Sequence, residues 1–482
     1  MKTVKISSFL KERKIKLKPQ AANCSGLQRI EKIDFSGKIY LSPVQTNTDM
    51  ILVKSGDLVI SGINVEKGAL AIYTGEEDVL ASIHYSAYEF DAEKIDIDYL
   101  KWFLKSNIFR KLLLKQTGSG IKKEIKAKHL LPIEIQLPSL KQQHEIVQQI
   151  QGVANYIEEV NRQIQQQAKY AEMLRQSILQ QAVEGKLCEQ DPNDEPASVL
   201  LEKIKAEKER LIAEKKIKKQ KSLPPISEEE KPFALPKGWE WCRLGELVTS
   251  VTDGPHYSPE YHDKGIPFIS GRNITLKGID FSTAKFISPQ LHEELSKRCR
   301  PETGDILYTK GGETGKAVVN DIDFEFNVWV HVAVLKPSTF VYNKYLALAL
   351  NSPHCYALSQ KYTHGTGNRD LGLTRMIKIT VPLPPANEQQ RIVQRVTKLM
   401  GQCNLLEREL SISKKYASQL MESVLQEAFS VQETAKPAQV IEFHPDQTIP
   451  ETELLAAARG KIREDTWEHL CKRALEIAGE ES

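Results

Sequence analysis

Two stretches of the chain share one pattern of apolar and polar positions. In the first, Ile146, Ile150, Val153, Ile157, Val160 and Ile164 recur at spacings that alternate between four and three, and the stripe resumes at Ala171, Leu174 and Ile178. In the second, Ile392, Val396, Leu399, Cys403, Leu406 and Leu410 follow the same rhythm, continued by Ala417, Leu420 and Val424. This spacing puts the apolar residues in a seam along one side of a helix. The seam is narrower than the stripe by which a surface helix packs on its own domain, and it needs a matching seam as partner. The two stripes superpose position for position, which predicts two long helices wound on each other inside one chain. About 36 residues of such heptads make a rod of roughly 54 Å. Each helix is entered from a proline, at Leu137-Pro138 and at Pro382-Leu383-Pro384-Pro385, because proline ends the preceding element and suits a first helical turn.

The seams belong to a larger repeat with an offset of about 246 residues. Ser55-Gly56-Asp57-Leu58 returns as Thr303-Gly304-Asp305-Ile306, Thr117-Gly118-Ser119-Gly120 as His364-Gly365-Thr366-Gly367, and Leu137-Pro138 as Leu383-Pro384. Gln143-His144-Glu145-Ile146-Val147 returns as Gln389-Gln390-Arg391-Ile392-Val393, and Ser177-Ile178-Leu179-Gln180 as Ser423-Val424-Leu425-Gln426. Five matches in the same order predict a duplicated architecture. The part of each half before its long helix is rich in glycine, proline and short β-branched runs, which reads as strands joined by turns. The stretch Ile97 to Leu104 reads as helix, so the globular parts are mixed α and β (α/β).

The boundaries follow: a globular domain at 1–140, a coiled-coil helix at 141–185 and a charged helical linker at 186–234. A second globular domain at 235–386, a second coiled-coil helix at 387–430 and a helical tail at 431–482 complete the chain. The linker, dense in lysine and glutamate from Ala197 to Lys219, reads as a solvated helix. The tail carries helical patterns near Glu451–Arg463 and from Thr466, with no role that the sequence assigns.

Composition changes this picture little. A net charge of +3 over 482 residues does not by itself argue for nucleic acid, so the case rests on local charge. Seven scattered cysteines with no C-x-x-C pair predict a reduced, cytoplasmic protein without a disulfide framework. The N-terminus has no apolar signal region, and no apolar run approaches the roughly 18 residues that span a bilayer, so no membrane is expected.

Catalytic motifs are wanting. Lys310-Gly311-Gly312-Glu313-Thr314-Gly315-Lys316-Ala317 resembles a phosphate-binding loop, but lysine stands where its first glycine belongs and Ala317 replaces the hydroxyl that would hold Mg²⁺. A tight turn is the simpler reading. No (N/D)-P-P-(Y/F) segment of an adenine methyltransferase occurs, nor an H-E-x-x-H zinc motif. His256 and His262 lie in a proline-containing loop that offers no helical register for a metal. The expectation is a chain with no catalytic residue, no metal and no cofactor of its own.

Local charge points to nucleic acid. Lysines crowd the stretch from Lys101 to Lys128, and Lys361, Arg369, Arg375 and Lys378 flank the Gly365-Thr366-Gly367 turn. Basic side chains displace counterions from phosphates, glycine-rich turns let backbone N–H groups approach them, and polar side chains entering a groove read bases. The candidate contacts are Asn64, Ser119, Lys122 and Lys123 in the first half. In the second they are Arg272, Asn273, Lys310, Thr314, Lys316, Asn368 and Arg369.

The segment Pro382-Leu383-Pro384-Pro385-Ala386-Asn387-Glu388-Gln389-Gln390-Arg391-Ile392-Val393 resembles the helix-entry signature of the specificity subunits of Type I restriction–modification enzymes. Leu137-Pro138 through Val147 is a degenerate second copy, with His144 and Glu145 where the family has Gln/Arg. Leu235-Pro236-Lys237-Gly238-Trp239-Glu240-Trp241 is similar to the family's domain opening, which the first half lacks, and Leu174 to Leu179 with Gly185-Lys186-Leu187 to the end of its central helix. The resemblance covers residues 1 to about 430. It implies two target-recognition domains, held apart by two antiparallel coiled-coil helices and related by a pseudo-two-fold. They would read an asymmetric, bipartite site in double-stranded DNA. It implies further that two methyltransferase subunits and motor–nuclease subunits dock on the chain, and that S-adenosylmethionine, ATP and Mg²⁺ belong to those partners. The other class of function open to the sequence is a duplicated coiled-coil scaffold that binds proteins and not DNA.

Overall fold

The computed structural model describes residues 2–18, 26–43, 49–117, 124–367 and 369–430. Ser119, Lys122, Lys123, Asn368 and the tail from residue 431 lie outside them. The chain forms two compact units, and each contains part of both long helices. Of the described residues, one unit holds those up to Gln167 and those from Glu409 to Ser430; the other holds Ala168–Arg408.

In the first unit a four-stranded antiparallel sheet has the order Leu10–Glu12, Tyr85–Phe90, Leu58–Ser61, Leu70–Ile72. A five-stranded sheet contains the hairpin Arg29–Ile33 and Ile39–Ser42, and Lys2–Lys5 pairs with Glu134–Leu137. Helices Ile97–Lys105 and Asn107–Thr117 follow the sheets. Asp96 caps the first of them by accepting from the Tyr99 N–H at 2.9 Å, which satisfies one of the donors left open at a helix start.

The second unit repeats this plan. Its four-stranded sheet runs Val248–Asp253, Val332–Pro337, Ile306–Thr309, Ala317–Val319, Glu240–Arg243 pairs with Thr380–Leu383, and helices Asn343–Leu350 and Pro353–Tyr362 follow. The strand Ile306–Thr309 is buried at every position, as expected of a strand covered on both faces.

The long helices span Leu140–Val183 and Ala386–Phe429, 44 residues each, or about 66 Å. Within each unit they run antiparallel. In the second unit Arg175 reaches Glu407 at 2.9 Å and Asn404 at 2.5 Å, while the start of the other helix lies beyond the end of the first, where Arg391 and Asn387 bind Asp194 at 2.6 and 3.1 Å. In the first unit Phe429, at the far end of the second helix, packs edge-on against Tyr99 and Phe103 at 5.2 and 5.5 Å, in the core that also takes Ile146. Of the seam residues, Ile150, Leu174, Ile178, Ile392, Val396, Leu399 and Leu410 are buried. Ile146, Val153, Ile157, Val160, Ile164, Leu406 and Val424 are half-buried, as an exposed two-helix coil requires. Leu420 departs from the expectation. It is 38% exposed, and Met421 takes the inward position, because the stripe continues from Ala417 with a step of four where the heptad has three.

One buried glutamine fastens each long helix to the fold. The Gln143 side chain accepts from the Asp96 N–H at 2.8 Å and donates to the carbonyls of Lys94 and Pro138, both at 2.9 Å. Gln389 accepts from the Tyr342 N–H at 2.9 Å and donates to the Pro384 carbonyl at 3.0 Å. Both glutamines are fully buried, so these bonds offset a desolvation cost that an unpaired amide would leave standing.

The linker differs from its reading as a solvated helix. Helix Ala197–Ala213 buries Ala197, Leu200 and Ile204 in the second unit's core, and Glu207 accepts hydrogen bonds from the hydroxyls of Ser338 and Thr339. It ends six residues before the expected Lys219, where Lys215 adopts φ 56°. Among the described residues no helix is long and apolar enough to cross a membrane.

Candidate nucleic-acid interface

Antiparallel pairing collects one set of loops at one edge of each four-stranded sheet. In the second unit that edge carries Asp253 at the end of its strand, the turn 310–316 after Thr309, and the 329–331 segment before Val332. The segment 369–371 joins them through the Gly311–Asp370 bridge and a bond from the Leu371 N–H to the Lys310 carbonyl at 2.7 Å.

A buried ion network holds this edge together. Lys310 Nζ donates to Asp370 Oδ1 at 2.7 Å and to the Val330 carbonyl at 3.2 Å, and lies 3.5 Å from Asp253 Oδ2. The side chains of Lys310 and Asp253 are only 4% and 3% exposed. Asp253 is also met by Arg298 at 2.5 Å and His256 at 3.2 Å, and Arg375 donates to the Asp370 carbonyl at 2.9 Å. Charges this far from water persist only when paired and hydrogen-bonded. His331 stacks on Trp329 with ring centroids 4.6 Å apart. Burial, with the Lys310 charge beside it, holds the imidazole below its usual pKa. The packing is close: a Cβ on Gly254 would meet the Val328 carbonyl oxygen at 1.8 Å, and one on Gly311 the His331 Nδ1 at 2.7 Å.

This arrangement revises the candidate contacts. Lys310, Thr314 and Asn273 face inward. Thr314 Oγ1 bonds Thr363 Oγ1 at 2.9 Å and accepts from Gln360 at 3.2 Å. Asn273 accepts from the Ser270 N–H at 2.9 Å and donates to the Asp280 carbonyl at 2.8 Å and to Thr283 Oγ1 at 3.2 Å. All three residues are buried, so none presents a side chain to a groove. Arg272 and Arg369 are exposed, and Arg369 is steered by a 2.8 Å bond to Gln360. Lys316 pairs with Glu313 on the solvent side of the turn. In the first unit Asn64 is half-buried at the start of the short turn Val65–Lys67. Sequence patterns give little notice of Trp329, His331 and Tyr257, whose carbonyl accepts from Trp329 Nε1 at 3.1 Å. The one signal for them is the i, i+2 spacing of Trp329 and His331, which puts both rings on one side of an extended segment.

The two edges are built alike and tipped differently. In the first unit Gly62 N–H donates to the His84 carbonyl and the Gly62 carbonyl accepts from the Ile125 N–H, both at 2.8 Å. In the second, Lys310 N–H donates to the His331 carbonyl at 2.9 Å and its own carbonyl accepts from Leu371. The same backbone position thus holds a glycine in one unit and a buried lysine in the other. A Cβ at Gly62 would lie 2.6 Å from the Ile125 carbonyl oxygen.

Among the described residues no group of three or more His, Cys, Asp or Glu side chains is arranged to hold a metal ion. Residues 236–413 match the family model of the Type I restriction modification DNA specificity domain. The chain is 32% identical over 255 residues to the Type I restriction enzyme EcoAI specificity subunit of Escherichia coli, covering 52% of this chain and 43% of the relative. It is 31% identical over 264 residues to the EcoEI specificity subunit of the same species, again covering 52% and 43%. The matches thus span less than half the length of these relatives. A chain from a solved type I R-M system superposes with a TM-score of 0.62 at 17% identity, covering 89% of this chain and 97% of that one; at that identity the likeness is one of fold.

Proposed function

We propose, from the premise that this chain belongs with the Type I restriction specificity subunits, that it reads a bipartite, asymmetric target in double-stranded DNA. Each unit takes one half-site with the loops at its sheet edge, and the long helices set the separation. The chain performs no chemistry itself. It acts in the cytoplasm, docks two methyltransferase subunits and motor–nuclease subunits, and leaves S-adenosylmethionine, ATP and Mg²⁺ to them. The observation that carries this reading is the pairing of a repeated frame with unlike tips. Gly62 and Lys310 occupy one backbone position in two copies of the same ladder, and the buried Lys310 ties down the segments that carry the Trp329–His331 stack and the exposed Arg369, so the two edges present different surfaces to a duplex. Different surfaces select different half-sites.

The test is to insert one heptad into the middle of each long helix. Seven residues add about 10.5 Å, which matches about three base pairs of duplex at 34–36 Å per turn. Sequencing of methylated genomic DNA from cells carrying the variant should return both original half-sites with a longer spacer. An unchanged spacer would refute the role of the helices as a ruler, and methylation that no longer depends on this chain would refute the reading as a whole.

A further inference from the structure

The first unit carries a charged feature that its sheet-edge loops do not account for. Asp34 to Lys38 form the turn of the hairpin Arg29–Ile33 and Ile39–Ser42. Lys101 Nζ donates to the Ser36 carbonyl at 2.6 Å, and Lys105 Nζ lies 3.5 Å from the Phe35 carbonyl. These lysines stand at i and i+4 on helix Ile97–Lys105, where like charges repel. Lys67, from the neighbouring turn, lies 5.4 Å from the centre of the Phe35 ring. On the hairpin arms Lys32 and Lys38 stand over Tyr40 at 4.5 and 5.2 Å, and Lys105 stands over Trp102 at 5.0 Å.

Among the described residues the partners of these five ammonium groups are carbonyl oxygens and ring faces, not carboxylates. The turn's own carboxylate, Asp34, is engaged by the N–H groups of Ser36 and Lys38 and the hydroxyls of Ser36 and Tyr40. Phe35 stands 51% exposed in the middle of the cluster. Burial, reinforced by Lys101, lowers the Lys105 pKa, so gathering these cations is unfavourable in the free protein. A lysine bonded to one carbonyl keeps two N–H donors and its full charge. Aromatic faces between such donors hold the ammonium groups in place.

We infer that this lysine and aromatic face, centred on the Phe35–Gly37 turn and the Lys101–Lys105 helix face, is a phosphate-backbone contact surface for duplex DNA. It supplies affinity to the first unit and leaves base selection to the sheet-edge loops. The inference rests on the DNA-reading proposal above and extends it from the sheet-edge turn that carries Lys67 to the hairpin and helix beside it. A polyanion relieves the repulsion between Lys101 and Lys105 and meets the free donors without disturbing the carbonyl bonds that hold the turn.

The ammonium groups of Lys38 and Lys67 touch only rings, so K38Q and K67Q leave the turn intact. Full-length protein is titrated into a fluorescein-labelled duplex of about 30 base pairs of mixed sequence at KCl from about 0.05 to 0.2 M, read by anisotropy. Each phosphate that is no longer neutralised should lower the slope of log K against log salt by about 0.9, and the double variant should bind about 30-fold more weakly at 0.15 M. K38R/K67R should keep the wild-type slope. K203Q, whose lysine is paired to Glu195 in the other unit, should leave it unchanged. If the wild type binds with a salt-dependent affinity and K38Q/K67Q matches it in slope, the surface is refuted while the DNA reading stands. If the wild type shows no salt-dependent binding, the DNA reading falls and this inference with it.

Discussion

Replacing Lys310 by methionine tests whether the buried ion network builds the second unit's loop edge. Methionine keeps most of the apolar stem and removes the charge, so the variant isolates electrostatics from packing. Stranding one partner of a buried ion pair costs about 3–5 kcal/mol. Here Asp253 would keep Arg298 at 2.5 Å and His256 at 3.2 Å. Asp370, 48% exposed, would be re-solvated. Both facts place the expected loss at the lower end, about 3 kcal/mol. A chain with two units does not unfold in one step, so the better measure is local. The amide of Leu371, which donates to the Lys310 carbonyl, and that of Gly312, which donates to the Arg369 carbonyl, should exchange about a hundredfold faster in the variant. Amides of the first unit should be unaffected. Asp253→Asn should cost less in the Lys310→Met background than in the wild type, because the two side chains share one interaction. Unchanged protection at Leu371, or strictly additive costs in that cycle, would show that the network is incidental to the loops.

Other outcomes follow from the same packing. Gly254→Ala should destabilise the second unit by about 1–3 kcal/mol, since its Cβ would collide with backbone and not with a movable side chain; a urea midpoint equal to wild type would contradict this. Arg175→Ala should cost about 1 kcal/mol, because its partner Glu407 is 39% exposed and solvent screens the pair; a cycle with Glu407→Ala measures the coupling. Burial holds His331 and His354 below the usual histidine pKa. The unfolded chain therefore binds more protons below about pH 6.5, and stability present above that pH is lost as pH falls through the lower native values. Denaturation at pH 7.5 and 5.5 should show the loss, reduced in His354→Phe. Phe429→Ala should free the end of the second long helix from Tyr99 and Phe103, at a cost of about 2 kcal/mol for a half-buried ring, visible as faster amide exchange over the last helical turns.

The frame is legible because its signals are periodic or duplicated. The heptad stripes, the prolines at the helix entries and the five collinear matches lead to the long helices and the repeated plan without any knowledge of contacts. The stripe is displaced by one residue beyond Ala417, where Leu420 is exposed, Met421 half-buried and Leu425 buried. The loop edges are harder. Lys310, Thr314 and Asn273 look like groove readers in sequence because polar residues beside glycines usually face water. Each is instead bound by partners elsewhere along the chain: Asp370 for Lys310, Thr363 for Thr314, Thr283 for Asn273. A polar residue's direction depends on partners that only the fold assembles. The lysine face of the first unit is hidden for the same reason, since residues 32–40, 67 and 101–105 are neighbours only after folding. The linker misleads through its charge, which masks the apolar stripe Ala197, Leu200, Ile204.

The fastening glutamines bear on how such a protein can change. Every bond made by Gln143 and Gln389 ends on main chain, and main-chain atoms are the same whatever residue carries them. The attachment is therefore indifferent to the identity of its neighbours. Sequence drift in the surrounding loops alters what the head touches and leaves its seating unaltered. A head transplanted whole, cut at Pro138 or Pro384, would carry a compatible socket with it.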